Sequence, residues 1–362
     1  MKNKGNTYKI WYKVSVIAAA VAVAVLIGAL IILATGESVI KTYGIIISMP
    51  FSNFRSFCEI LVRMIPLIII ALGICVSSRS GINNIGAEGQ MAMGVIAATA
   101  AAMPLEGMPR FIAVPLCIIA GALAGGAYGF IPGFLKARFD VSELLSTVML
   151  NYAATQFYAF MIRVPLLDPN EKTGTPMSAR LPDSTKLTKL FKGTAVHQGL
   201  IIALLLAAVI YILLFRTSFG YKMRAAGASK RAARYGGINV GLYLVISMMI
   251  SGACAGVAGA AELMGNQGRA MEGITGGYGF SGIVVALFGC LHPLGVIPAA
   301  FFFGILLYAQ VNLQILTEVP PNFVKALQGL IILIIVAVQM ILSNPYMEER
   351  FRRRFFRAKE AE

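Results

Sequence analysis

Apolar runs about as long as a bilayer is thick recur along the chain and constrain its fold more than any other feature. A hydrocarbon core of about 30 Å is crossed by about 20 apolar residues in a helix. Because lipid offers the backbone no hydrogen-bond partner, each run is predicted to be helical. We therefore predict an all-α polytopic membrane protein with about ten transmembrane helices. The ten runs are 14–34, 58–77, 84–103, 111–135, 142–165, 198–215, 242–264, 278–290, 294–311 and 323–343.

The composition argues against a soluble domain and against a nucleic-acid partner. Of the 362 residues, 58% are hydrophobic and 13% are charged, whereas a soluble domain carries about 25% charged residues. A net charge of +15 would suit nucleic acid. In an apolar chain, however, basic residues in short loops act as topology signals and contact anionic lipid headgroups. The expected partners are therefore a membrane and membrane-associated molecules.

The distribution of basic residues predicts the orientation of the chain. Lysines and arginines cluster in the segments 1–13, 216–241 and 344–362. Because basic loops are retained on the cytoplasmic side, both termini are predicted to lie inside. The chain is then a single transmembrane domain with a membrane core at 14–343 and a long outer loop at 166–197. The other three segments become the cytoplasmic N-terminus, a cytoplasmic loop and a basic cytoplasmic tail.

Two glycine-rich segments interrupt the apolar pattern. The segment 80–94 contains four glycines together with Asn84, Glu88 and Gln90, and the segment 273–282 leads straight into a second apolar run. Irregular backbone at membrane depth must be buried in protein or line a watery cavity. Glycine-interrupted segments in corresponding positions of two halves indicate a transport site between structural repeats. We predict two pseudo-repeated halves, each with a glycine-broken helix.

Polar residues recur at every fourth position along the predicted span 142–165. They are Glu143, Thr147, Asn151 and Thr155, with Tyr152 beside them. Polar side chains in a membrane helix usually face the bundle or a cavity. Hydrogen bonding between helices would explain one or two of them. The wall of a pathway is the favoured interpretation, and helix–helix hydrogen bonding is the alternative.

Span 111–135 carries glycine at every fourth position. The ladder consists of Gly121, Gly125, Gly129 and Gly133. Small residues at this spacing let two helices approach closely in lipid. The ladder therefore predicts a packing face.

The loop 216–241 has more order and charge than topology alone requires. It contains six basic residues and no acidic residue. Its alanine-rich centre predicts helix from Lys222 to Tyr235, broken at Gly227 and ended by glycine at 236 and 237. Two short helices that bind a cytoplasmic partner are one interpretation, and a turn that binds headgroups is the other. The outer loop 166–197 is either a docking surface or a solvated linker.

The sequence offers no constellation for catalysis or metal binding. The cysteines lie in apolar runs without CxxC spacing, so neither a disulfide framework nor a metal site is predicted; they are Cys58, Cys75, Cys117, Cys254 and Cys290. The segment 277–282 matches G-x-G-x-x-G but lacks a preceding strand. His197 and His292 stand alone. We predict that the chain is not an enzyme and holds no cofactor.

Three segments resemble one family of transport proteins. Asn84-Ile85-Gly86-Ala87-Glu88-Gly89-Gln90-Met91 is similar to the third-span signature of bacterial ABC importer permeases of the branched-chain amino acid and simple-sugar class. The sequence ELLSTVMLNY at 143–152 resembles the fifth-span motif of the nucleoside branch of that class. The segments 224–227 and 232–239 resemble its cytoplasmic coupling segment. The similarity runs from about residue 60 to residue 343.

The resemblance implies the permease subunit of an ATP-driven importer in the bacterial plasma membrane, with nucleosides as the expected substrates. It implies three partners: an ATP-binding subunit that hydrolyses ATP, a second related permease, and an extracellular substrate-binding lipoprotein. An importer of ribose-like sugars is the first alternative. A proton- or sodium-coupled carrier is the second, although Glu88, Glu143 and Glu262 are a thin set of carboxylates for an ion relay.

The resemblance and the polar pattern together assign roles to individual residues. Glu88 has an alternative role, because a carboxylate near Gly86 would stabilise a helix N-terminus there. The expected substrate-pathway residues are Asn84, Glu88, Gln90, Thr147, Asn151, Tyr152 and Ser281. The residues expected to couple to the ATPase are Arg224, Ala225, Gly227, Arg231, Arg234 and Gly237.

Overall fold

A computed structural model describes most of the membrane core. It covers residues 36–170 and 174–316, with Ser15, residues 22–33 apart from Ala24, and Ala326, Gly329, Leu330, Ile334 and Ala337. The predicted segment 1–13, much of span 14–34, most of span 323–343 and the tail 344–362 lie outside the described residues. The chain divides into two compact units, Pro50–Tyr308 and Met1–Met49 with Ala309–Glu362.

The described residues form helices joined by turns and short irregular segments, which confirms the all-α prediction for this part of the chain. The helix Val240–Glu262 continues past its end into a π-helical turn, Leu263–Gln267. In chain order the helices are α1 (Val39–Ser48), α2 (Phe54–Arg79), α3 (Ala87–Ala102), α4 (Arg110–Phe139), α5 (Glu143–Arg163), α6 (Gly199–Arg216), α7 (Ser218–Ala228), α8 (Lys230–Tyr235), α9 (Val240–Glu262), α10 (Tyr278–Phe288) and α11 (Pro293–Leu316).

Five of the described helices are long and apolar enough to cross a membrane: α2, α4, α6, α9 with its π-helical turn, and α11. The chain is therefore a polytopic membrane protein. Helices α3, α5 and α10 lie where the spans 84–103, 142–165 and 278–290 were predicted. Helix α1 was not predicted. The number of ten spans and their orientation stay predictions.

Helix α2 is the centre of the larger unit. It begins at Asn53, whose side chain accepts a hydrogen bond of 2.8 Å from the Ser56 N–H. The side chains of 64–77 are buried on every side of the helix. A helix that is apolar all round lies either in a protein core or in lipid, and the burial of these side chains shows that protein surrounds this one. Helices α6, α9 and α10 pack around it.

The glycine ladder on α4 packs against glycines of α9, which confirms the predicted packing face. A Cβ on Gly125 would lie 2.9 Å from the Gly256 Cα, and Gly252 and Gly256 meet the backbone of Gly125 and Gly121 in return. Gly94 of α3 meets Gly256 from another side. Three helices thus approach one another at backbone distance, where no side chain fits.

Replacing Gly256 with alanine is expected to lower the midpoint of thermal unfolding in detergent. A Cβ there would overlap the Gly121 carbonyl oxygen and lie 2.8 Å from the Gly121 carbonyl carbon. Overpacking of this kind costs about 1–3 kcal/mol, which outweighs the advantage of about 1 kcal/mol that alanine has over glycine in a helix. Gly241→Ala on the same helix is the control, because its Cβ would meet no atom closer than 3.6 Å. Equal midpoints for the two variants would contradict the prediction.

The described residues of the loop 166–197 form a layer over the end of α9, and this argues against a solvated linker. The Leu187 N–H donates to the Met264 carbonyl at 3.0 Å, and the Leu181 N–H donates to the Gly268 carbonyl at 2.9 Å. Ser178 and Ala270 share two hydrogen bonds of 2.9 Å. The loop therefore follows the segment 264–271 by backbone pairing.

His197 packs against Gly265, in the π-helical turn that this layer covers. Its side chain is buried, and its Nδ1 accepts a hydrogen bond of 3.1 Å from the Gly199 N–H. The ring occupies the space that a side chain at Gly265 would need. Burial lowers the pKa of His197 to about 4, so the imidazole is neutral at pH 7 and acts as a packing group.

Candidate functional site

Two helices begin inside the protein at glycines that provide no side-chain cap. Helix α3 follows Gly86, and α10 follows Gly277. Helix α10 starts beside the middle of α2, because Gly282 packs against Ile70. The first N–H groups of a helix have no partner within it, and in an apolar interior they must be satisfied by other elements.

Asn151 of α5 satisfies the start of α3. Its Oδ1 accepts from the Gly89 N–H at 2.8 Å, and its Nδ2 donates to the Ile85 carbonyl at 2.9 Å. One buried amide therefore holds the backbone on both sides of Gly86. Glycine is required at 89, since a Cβ there would lie 2.9 Å from the Ala154 Cβ.

Glu88 satisfies the start of α10. Its Oε1 accepts from the Gly277 N–H at 3.1 Å, and its Oε2 accepts from the Gly279 N–H at 2.7 Å. A carboxylate is favourable at the positive end of a helix. The alternative role for Glu88 placed such a cap near Gly86. The carboxylate does cap a helix, but the helix belongs to the second glycine-rich segment, because the two segments come together here.

Two further amides hold the first break, which is the irregular segment that ends at Gly86 before α3, and fix it to α9. The Asn84 Nδ2 donates to the Gln90 Oε1 at 2.7 Å and to the Ser251 Oγ at 2.8 Å. The Asn84 Oδ1 accepts from the Gly86 N–H at 2.9 Å. Asn84 is 2% exposed and Gln90 is 1% exposed. A buried network in which each group is paired rigidifies the segment that it holds.

The predicted pathway residues fall into three groups. Asn84, Gln90, Thr147 and Asn151 are buried around the first break, whereas Glu88 and Ser281 are half-buried. Tyr152 is 67% exposed and lies outside this group. That the set lines a substrate path stays a prediction.

The polar stripe on α5 does not form one continuous face. Thr147 and Asn151 are buried, but Thr155 is exposed and its hydroxyl donates to the Asn151 carbonyl of its own helix. A step of four residues turns about 40° further around a helix, so the stripe leaves the buried face after two steps. The stripe is therefore divided between a buried part and an exposed part, and its role as the wall of a pathway stays a prediction.

The segment 216–241 forms two short helices as predicted, but the break is not at Gly227. It falls at Ser229, whose Oγ accepts from the Ala232 N–H at 3.3 Å. Gly227 lies within α7 and packs on the end of α2. A Cβ at Gly227 would overlap the Arg79 carbonyl oxygen and lie 2.8 Å from the Gly81 nitrogen. Glycine is present for this close approach, and not to end a helix.

An apolar cluster joins the same two short helices to the first glycine-rich segment. Its centre is Ile82, which is fully buried. The partners of Ile82 in this cluster are Ala226, Ala233, Val240, Leu244 and Met248. Helices α7 and α8 therefore pack directly on the chain that leads to Asn84 and Gly86.

The six predicted coupling residues do not share one surface. Arg224 faces α6, because its Nε donates to the Leu214 carbonyl at 3.0 Å and its guanidinium lies over the Phe215 ring. Ala225 and Gly227 are half-buried, whereas Arg231, Arg234 and Gly237 are exposed. Tyr235 between them is 93% exposed. It lies within the segment 232–239 that resembles the coupling segment, but it was not among the predicted coupling residues.

Arg79 binds the turn that follows α10, an interaction that the sequence patterns did not predict. Arg79 donates to the Leu291 carbonyl at 3.1 Å and to the Cys290 carbonyl at 3.2 Å. Both of these residues have left-handed backbone, with φ of 52° and 55°. Cys290 is exposed, whereas the other four cysteines are buried. A tight turn therefore places Cys290 at the surface, although it lies in a predicted apolar run.

The chain combines apolar spanning helices with two half-helices, α3 and α10, whose N-termini converge inside the protein. Two basic short helices, α7 and α8, pack on the segment that leads to α3. These features together are those of a membrane permease. Residues 56–336 match the family described as branched-chain amino acid transport system / permease component. The chain belongs to this family, and the resemblance to ABC importer permeases of that class is confirmed. Among the described residues, no group of three or more His, Cys, Asp or Glu side chains could hold a metal ion.

Several named permeases are similar to this chain over most of its length. The guanosine ABC transporter permease protein NupP of Bacillus subtilis is 36% identical, covering 86% of this chain and 89% of its own length. The nucleoside ABC transporter permease protein NupB of Lactococcus lactis is 33% identical, covering 88% and 89%. A glucose ABC transporter permease of Haloferax volcanii is 29% identical, covering 86% and 84%. No solved structure matches the chain.

Proposed function

We propose that this chain is the permease subunit of an ATP-driven importer that moves nucleosides into the cell. The observation that carries the substrate class is the identity of 36% and 33% to a guanosine permease and a nucleoside permease. The site is compatible with this class, because its polar groups are mostly neutral amides and hydroxyls. Such groups suit an uncharged, hydroxyl-rich substrate better than a charged one.

The substrate path is proposed to run beside the two converging half-helices. Asn84, Gln90, Thr147 and Asn151 would hold the shape of the first break, whereas Glu88 and Ser281 border the second. Tyr152 points away from this group and would meet a neighbouring subunit or the substrate from another side. An opening of the path would separate α3 from α10, because the Glu88 carboxylate is the hydrogen-bonded link between them.

The energy for that opening is proposed to come from a separate ATP-binding subunit bound to α7 and α8. Arg231, Arg234, Tyr235 and Gly237 would form the contact surface, whereas Arg224, Ala225 and Gly227 would pass its movement inward. ATP binding can shift the permease only if this contact differs between the two states. The direct packing of Gly227 on Gly81 offers such a route.

The remaining assignments follow the same proposal. The protein would lie in a bacterial plasma membrane with ten spans, both termini inside, and a membrane core at 14–343. The segments 1–13 and 344–362 would be cytoplasmic, as would the coupling loop 216–241. A substrate-binding lipoprotein would dock on the outer loop 166–197, and a second related permease would complete the pore.

Uptake of labelled uridine in cells with and without this gene tests the proposal, with excess adenosine, ribose or leucine as competitor. We expect uptake to be lost on deletion and to be blocked by adenosine alone. Block by ribose would favour the second candidate, an importer of ribose-like sugars, which the similarity to a glucose permease supports. Uptake that needs a proton gradient and no ATP would overturn the ABC mechanism in favour of a secondary carrier.

A further inference from the structure

A polar cluster at the end of α9 plays no part in the arrangement described so far. Its centre is Glu262, which is 2% exposed. The Glu262 Oε1 accepts from the Asn266 Nδ2 at 2.6 Å and from the Gln267 Nε2 at 3.3 Å. The Glu262 Oε2 has no hydrogen-bond partner among the described residues. One buried carboxylate oxygen is therefore free to accept a hydrogen bond.

A free donor lies in the same cluster. Arg63 of α2 interacts electrostatically with Glu262 and with Tyr278. Its Nε is buried and has no partner in the part of the chain that the structure describes. Glu59 is also close to Tyr278. The cluster thus combines an unsatisfied acceptor and an unsatisfied donor, each of which costs free energy while it stays unpaired.

The π-helical turn Leu263–Gln267 builds this cluster. It brings two successive amides, Asn266 and Gln267, onto the same oxygen of Glu262. Both amide residues are exposed, so the polar groups run continuously from the surface to the buried carboxylate. Single π-helical turns within α-helices are frequent at functional sites because they re-aim side chains.

The cluster adjoins the meeting point of the half-helices. Tyr278 lies between Gly277 and Gly279, whose N–H groups donate to Glu88. On the other side, the outer loop hydrogen-bonds to Met264 and Gly268. The cluster therefore lies between the loop where a delivering protein would dock and the break where the path would open.

We propose that Glu262 and Arg63 bind the amino-bearing edge of a nucleobase during transport. The Glu262 Oε2 would accept from the exocyclic amino group, and the Arg63 Nε would donate to the neighbouring ring nitrogen or carbonyl oxygen. Carboxylates accept from base amino groups, and arginine donates to base acceptors, wherever proteins recognise nucleobases. This inference rests on the proposed function, and it assigns part of the selectivity to the permease itself.

The test compares two pairs of nucleosides that differ only by an exocyclic amino group: adenosine with purine riboside, and guanosine with inosine. Uptake is measured with the full transporter, wild-type and Glu262→Met, supplied with the same binding lipoprotein. Methionine has a similar volume, and replacing a buried charge by an apolar side chain is often tolerated. We expect the wild type to prefer the amino-bearing member of at least one pair, and Glu262→Met to reduce that preference about tenfold.

Glu272→Gln is the matched control, because this exposed carboxylate of the following segment pairs with Arg163 at 3.4 Å. It is expected to keep the wild-type preference.

If Glu262→Met fails to assemble, Asn266→Ala provides the test, because the Asn266 side chain is exposed and donates to the same carboxylate. We expect at least a threefold loss of preference for this variant. No preference in the wild type, or an unchanged preference in the variants, would overturn the inference. If the wild type takes up no nucleoside at all, the proposed function would instead be refuted.

Discussion

Asn151→Ala is expected to lower nucleoside uptake about tenfold or more and to reduce the midpoint of thermal unfolding. The side chain pairs with the buried Gly89 N–H and with the carbonyl of the half-buried Ile85. Each buried backbone group left unpaired costs about 1–3 kcal/mol. In a chain of this size such a loss lowers the midpoint by roughly 2–8 °C. Thermal unfolding in detergent and uptake in cells measure the two effects.

Thr155→Ala is the matched control one turn further along α5. Thr155 is exposed, and its hydroxyl donates only to the Asn151 carbonyl of its own helix. Its loss leaves no buried group unpaired, so both stability and uptake should remain close to those of the wild type. If Asn151→Ala also behaved like the wild type, the first break would not depend on this amide.

Gly227→Ala is expected to reduce uptake about tenfold while the complex still assembles and hydrolyses ATP. The added Cβ would overlap the Arg79 carbonyl oxygen, so α7 must move away from the end of α2. Ile82 lies in the apolar cluster beneath α7, and the shift would weaken the link from α7 to the broken segment. Coupling free energies between distant sites are commonly about 1–3 kcal/mol, which is sufficient for a tenfold effect.

The control for this prediction is Gly236→Ala in the same cytoplasmic loop. A Cβ at Gly236 would meet no atom closer than 3.5 Å, so uptake and ATP hydrolysis should both stay near wild-type values. The measurement is the ratio of nucleoside transported to ATP hydrolysed in reconstituted vesicles. A normal ratio for Gly227→Ala would show that the close contact with Gly81 transmits nothing.

These two predictions concern one continuous line of contacts. Helix α7 packs on Gly81, and Ile82 is buried beneath α7 and α8. Asn84 then fixes the chain to Ser251, and Asn151 fixes it on both sides of Gly86. A displacement of α7 and α8 therefore has a short route, through packed side chains and the chain itself, to the start of α3 at Gly86.

The sequence by itself was sufficient for the features that depend on local composition. Helices form where apolar runs predicted them, because a chain in lipid must pair its own backbone groups. The glycine ladder on α4 predicted a close packing face, since only glycine permits backbone contact there. The motifs around Asn84 and Asn151 identified the permease family. Periodicity also showed which residues were polar at membrane depth.

Only the tertiary structure decided which of those polar residues meet. Glu88 caps a helix that begins 189 residues later in the chain than Glu88 itself, at Gly277. Gly227 contacts Gly81 instead of ending a helix, and Arg63, Glu262 and Tyr278 come together from three different helices. Neither spacing nor propensity encodes such pairs. They depend on the packing of distant helices, and an unpaired buried polar group finds its partner only once those helices are in place.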